Sequence, residues 1–186
     1  MFSIGRKIAA LAGAVALIAA SVLPVFAADI GSVNATVTPQ LISLTVSDGV
    51  VDYGTMALST TRSTAESDSD ALTDTQVAAN NGNVSENFGI RSSDAASSGT
   101  PWDLAATAGN NAFTHAFCTT GTGVTDPCDA TPTWTGFTVD NVTYTNFAVN
   151  VAPQGTKRFD LRLGTPSISS DSVTHNVIVT VLATVF

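Results

Sequence analysis

Cys118 and Cys128 bound the stretch FCTTGTGVTDPC and are the only two cysteines of the chain. A pair at that spacing can close a disulfide, hold a metal or present reactive thiols. A metal site needs further ligands. His115 lies three residues before Cys118, and Asp126 or Asp129 flanks Cys128, so one four-ligand set can be written. Its spacing matches no structural zinc module. Two cysteines close in sequence around a Gly/Thr/Asp/Pro loop favour a local disulfide where the compartment is oxidising. Closing such a loop contributes about 3 kcal/mol in the chain-entropy model. The expectation is a Cys118–Cys128 disulfide and no bound metal, with zinc and free thiols as the open alternatives.

Catalytic patterns are missing from the rest of the chain. His175 alternates with Val173 and Val177, so it reads as an inward-facing residue of a last strand. No G-x-S-x-G elbow and no H-E-x-x-H helix occurs. Glu66 and Glu86 are the only glutamates, and nothing singles out a carboxylate pair for glycoside hydrolysis. Without a nucleophile–base set, the chain is expected not to be an enzyme.

Two groups could bind rather than react. Glu66, Asp68 and Asp70 alternate, and Asp74 follows. Calcium takes six to eight oxygens, several from one flexible loop. The glycine and closing glutamate of an EF-hand are absent, so a solvated acidic loop is the simpler reading and Ca2+ the only candidate cofactor. Trp102, Trp134 and Tyr144, with Tyr53 and Phe137, are candidates for stacking on sugar rings, in competition with core packing; Trp102 and Trp134 sit at strand starts. Asn34-Ala35-Thr36, Asn83-Val84-Ser85 and Asn141-Val142-Thr143 match the N-glycosylation sequon.

The compartment follows from the first residues. Arg6 and Lys7 precede an apolar run from Ile8 to Val22, then Pro24 and small residues at Val25 and Ala27. That pattern is a secretory signal peptide over residues 1–27, cut after Ala27. The processed chain, 28–186, suits a single domain with a real core. It keeps five basic side chains against fifteen acidic ones, a net charge near −10. Arg62, Arg91, Lys157, Arg158 and Arg162 form no stripe, so neither nucleic acid nor an anionic membrane is an expected partner. The C-terminal VTVLATVF carries no sorting signal, so no membrane anchor is expected after cleavage.

Strands must position these groups. Beyond the signal peptide no segment sustains a 3.6-residue period. Asp48-Gly49 predicts a tight hairpin between 40–46 and 50–58. Short strands are predicted at 33–37, 74–79, 84–91, 102–107, 112–117, 133–139 and 142–149. In 155–163, Phe159, Leu161 and Leu163 face one way and Arg158, Asp160 and Arg162 the other. The last strand, 172–185, is apolar on both faces, which predicts a central or covered position, or an oligomer contact on the second face. Nine to eleven such strands at 8–15-residue spacing indicate an all-β fold, a single antiparallel β-sandwich of jelly-roll or Ig-like kind.

Trp102-Asp103-Leu104, the D-Y-G-T run at Asp52 to Thr55, NNGNVSENFGIRSSD and the valine-rich last strand together resemble secreted bacterial surface β-sandwich proteins. The chain is similar to WxL-domain cell-wall proteins, although it holds a single W-x-L, and more loosely to fibre proteins of the TasA kind. The resemblance implies a secreted, cell-surface structural or adhesive protein. It forms fibres by edge-strand pairing in one reading and binds cell wall or glycan in the other. The segment Asp29 to Thr38, freed by cleavage and bounded by Pro39, is the expected pairing strand.

Overall fold

The computed structural model describes residues 34–47, 49–65, 72–119, 128 and 132–186. The predicted signal peptide lies outside them. Residues 38–186 form one compact unit; of the preceding unit, Met1–Val37, only 34–37 are described, exposed and in no strand. Twelve strands and no helix occur among the described residues. They are β1 (Leu44–Val46), β2 (Thr61–Ser63), β3 (Gln76–Asn80), β4 (Glu86–Ser92), β5 (Ala96–Ser97), β6 (Asp103–Leu104), β7 (Ala112–Cys118), β8 (Thr135–Gly136), β9 (Thr145–Val151), β10 (Thr156–Gly164), β11 (His175–Asn176) and β12 (Val179–Val185).

β10 is the trunk of a curled seven-stranded sheet. Its first half pairs with β3, which in turn pairs with β1. Its second half lies between β2 and β7. The change of partner falls at Asp160 and Leu161. There the Thr64 hydroxyl accepts from the Leu161 amide at 3.0 Å while the Thr64 amide donates to the Leu161 carbonyl at 2.9 Å. A side chain thus stands in for one rung of the ladder, which lets the strand fork. β7 also pairs with β8, and with β6 in parallel, the one parallel contact between the strands of an otherwise antiparallel set.

The second sheet is β12-β4-β9, and β5 with β11 forms a two-stranded third. The two larger sheets share one core. Phe88 and Ile90 of β4 and Phe147 of β9 meet Phe113, Phe117, Phe159 and Leu161 of the curled sheet. The Phe147 ring crosses between them, 5.4 Å from Phe159 and 6.4 Å from Phe117, both edge-on. Edge-on geometry suits the ring quadrupoles and adds to the area buried.

Several expectations are corrected. The 40–46/50–58 hairpin does not form. The chain turns at Gly49, φ +72°, but the Asp52 carboxylate takes the Gly54 amide at 2.8 Å in a local turn, and Val51, Tyr53 and Met56 pack on the core. β1 pairs with β3 instead, extended by Ser47 amide to Val77 carbonyl at 2.8 Å. Asp160, on the face opposite Phe159 and Leu161, is fully buried at the fork. The last strand is neither central nor covered: it breaks after Asn176, and β12 is an edge strand paired to β4 alone among the described residues. The strands at 102–107 and 133–139 shorten to two residues each, and 33–37 is in no strand over its described part.

Candidate functional site

The two cysteines are joined. Cys118 ends β7 opposite Asp160, and its disulfide to Cys128 has a Cα–Cα distance of 5.9 Å, within the ordinary range. Both are buried with Ala65, and Trp134 packs against them. The Arg162 guanidinium stands 4.7 Å from the Trp134 ring centroid. His115 does not join this group. Side chains alternate along a strand, so three residues of β7 turn His115 to the inter-sheet core while Cys118 faces away. The four-ligand zinc set is therefore not assembled. Asp126 and Asp129 lie outside the described residues, and no group of three metal-ligating side chains occurs among those described.

His115 instead meets Ser92 of β4, Nδ1 to Oγ at 2.7 Å, across the two sheets. The pair has the separation of a nucleophile and its base, a contact that sequence separation hid. The surroundings deny it that role. Both side chains are buried, and His115 Nε2 is enclosed without a hydrogen-bond partner. Phe113 and Phe137 flank the ring. Burial holds the imidazole neutral, with its pKa pushed down to about 3. Among the described residues no carboxylate is hydrogen-bonded to the ring. The pair is a polar rivet between the sheets.

The fork buries a second polar group. Asp160 Oδ1 accepts from the hydroxyls of Thr64 and Thr75, each at 2.8 Å. Tyr53 places its hydroxyl in the same interior, where burial first, then the charges of Asp74 and Asp160, push its pKa up. Of the acidic loop, Asp74 is described, and its carboxylate accepts from Gln76 Nε2 at 2.8 Å. Glu66, Asp68 and Asp70 lie outside the described residues, so the calcium expectation falls there.

The three candidate sugar-stacking rings are placed apart and touch different partners. Trp102 stacks on His175, centroids 3.8 Å apart and 16° from parallel, and donates Nε1–H to Ser169 Oγ at 3.1 Å. Each nitrogen of His175 faces a carbonyl oxygen, Val173 at 2.9 Å and Thr100 at 3.0 Å, of which a neutral ring can donate to one. Asp171 lies 3.8 Å away, its carboxyl held below the usual range first by the Thr100 amide. This cluster ties β11 to the 97–102 turn. His175 thus belongs to this tie, on β11 and not on the last strand's core face. Tyr144 covers Gly89 on the outer face of the three-stranded sheet, where an added Cβ would lie 3.0 Å from its own. Arg91 stands 4.9 Å from its ring centroid and donates to the Asn141 carbonyl.

A further constellation escaped sequence reading, the Asn80–Glu86 turn. Fully buried Asn80 donates to the carbonyls of Val84 and Val151 and accepts from the Gly82 amide. Asn83 takes the Leu41 amide at 2.7 Å and donates to the Pro39 carbonyl at 2.9 Å. Glu86, fully buried, takes the Ser43 amide at 2.9 Å. The turn therefore holds 39–43 by side chains reading its backbone. Only its asparagine richness hinted at this, since Asn side chains pair readily with backbone. It also bears on the sequons: the amides of Asn83 and Asn141 are engaged, to Pro39 and to Asp94 at 2.7 Å.

An open groove lined by Asn146, Val149, Val151 and Lys157 gathers no catalytic pair. No family model, curated protein or solved structure matches the chain.

Proposed function

We propose that this is a non-enzymatic structural or adhesive protein of the cell surface, exported by its signal peptide, whose fold is a sandwich in the jelly-roll or Ig-like manner. It assembles by strand pairing. The observation that carries this reading is the start of the described chain. Asn34–Val37 is exposed and in no strand, with Val37 90% exposed, immediately before a segment fastened at Pro39, Leu41 and Ser43. A short run rich in β formers ahead of a fixed anchor is suited to add to a neighbour's sheet edge. The interior chemistry supports a non-catalytic role, because Ser92, His115 and Asp160 are all committed within the core. Electron microscopy of the exported chain should show filaments that vanish when 28–38 is deleted; filaments unchanged by the deletion would rule out the arm.

A second reading, a wall- or glycan-binding module, draws on the half-exposed Tyr144 and Trp134, each with an arginine beside its ring. Pull-down on peptidoglycan with folded Tyr144→Ala and Trp134→Ala variants separates the two. Lost retention favours binding, and unchanged retention removes it.

A further inference from the structure

Among the described residues β12 is an edge strand without the usual protection. Its seven register pairs with β4 run without a bulge, and Val179–Val185 holds no charge and no proline. Natural edges are generally short, charged, bulged or covered. β1 packs on the same core but forms no ladder with β12.

The direction of its free backbone groups can be read. Ile178 sends its carbonyl to the Ser93 amide and its amide to Ser93 Oγ, and the Phe186 amide goes to the Ser85 carbonyl. Even-numbered residues therefore bond toward β4. By the two-residue alternation, Val179, Val181, Ala183 and Val185 aim their N–H and C=O groups away from the sheet.

The side chains then specify the occupant. Read about Leu182, the strand is close to a palindrome: Val179 mirrors Val185, Thr180 mirrors Thr184 and Val181 mirrors Ala183. Just beyond, Ile178 mirrors Phe186. On the outer face Ile178, Leu182 and Phe186 are exposed, at 66%, 41% and 67%. We infer that β12 pairs antiparallel with β12 of a second copy, about a two-fold axis at Leu182. This joins two three-stranded sheets into one of six. Leu182 then meets its own mate, Thr180 meets Thr184 and Ile178 meets Phe186, all in non-hydrogen-bonded positions where side chains stand closest. Thr–Thr and apolar cross-strand pairs are favourable. With no charge on the strand, the acidic chain brings no like charges of this strand together. One strand edge and three apolar side chains are less than the ~800 Å² per partner of a standard interface. The dimer is accordingly reversible, and being isologous it closes. It is independent of the 28–38 arm, whose heterologous contact would link dimers.

The register is testable on the exported chain. The Leu182→Cys variant should cross-link to itself under mild oxidation. The Thr180→Cys and Thr184→Cys variants should link when mixed and not alone, with linked peptides identified by mass spectrometry and the Cys118–Cys128 bond intact. Leu182→Lys, at an exposed position that spares the fold, should weaken the dimer at least about tenfold by placing like charges opposite each other. Deleting 28–38 should leave the dimer, which separates this pairing from the arm. A chain monomeric at every concentration, self-linking of the Thr180→Cys variant, or a dimer indifferent to Leu182→Lys overturns the inference.

Discussion

The edges of the two larger sheets differ in kind. In the curled sheet, the edges β1, β2, β6 and β8 are stubs of two or three residues, and the approach to β1 is fastened by Asn83 and Glu86. β9, the far edge of the second sheet, is seven residues long, but register shifts interrupt its pairing with β4, and Asn150 adopts φ +52°. β12 is equally long, regular and apolar. Blunting is thus applied at every other edge of these sheets among the described residues and withheld at one. The difference teaches that an edge is kept closed by specific side chains, and that leaving one open is a property of the sequence.

The most severe way to test this contrast is to remove what both sheets share. Phe159→Ala, at a buried ring touching Phe147, should cost about 3–5 kcal/mol. Loss of β12 and of the curled sheet should coincide in one denaturant transition read by circular dichroism and by hydrogen exchange. Two separate transitions would mean that the sheets fold independently.

Acid tests the same seam through His115. Its folded pKa lies near 3, below the unfolded 6.5, so between those values the unfolded chain binds the extra proton. Stability should therefore be undiminished by this group above about pH 6.5 and fall as pH drops toward 3, by roughly 4 kcal/mol as an upper figure. Urea midpoints across pH should show that slope, and His115→Gln should flatten it.

Proline separates the two sides of β12. Thr184→Pro removes an amide directed to β4 and should cost about 3 kcal/mol, whereas Ala183→Pro removes one directed outward and should cost little in thermal stability. Equal losses would contradict the assignment of the free side. A smaller effect, about 2 kcal/mol, is expected from Asn80→Ala, which orphans the groups it satisfies. Faster hydrogen exchange at Leu41 and Ser43 should accompany it, as the fastened edge loosens.

Much of the architecture was legible in the sequence. Alternation in β10 and β4, with turn residues between strands, gives an all-β chain, and cysteine spacing gives the disulfide. The failures share a cause, which is that alternation reports faces but not neighbours. It placed Asp160 on one face with Arg158 and Arg162, but could not show that the fork covers that point with Thr64 and Thr75. The Asp48-Gly49 turn signal was sound at Gly49, but β1 found β3 as its partner. The apolar second face of the last strand was legible, but not whether a central position, cover or an oligomer contact explains it; Ile178, Leu182 and Phe186 are exposed. The Ser92–His115 contact, 23 residues apart, leaves no local trace. Of the candidate sites, Trp102, Trp134 and Tyr144 were each visible as large aromatics, but their dispersal over the molecule was not.

Assembly through strand edges is the central claim, and sedimentation velocity of residues 28–186 over a wide concentration range tests it most directly. A monomer that gives way to dimer and heavier species as concentration rises is the expected result. A single monomeric boundary throughout would contradict it.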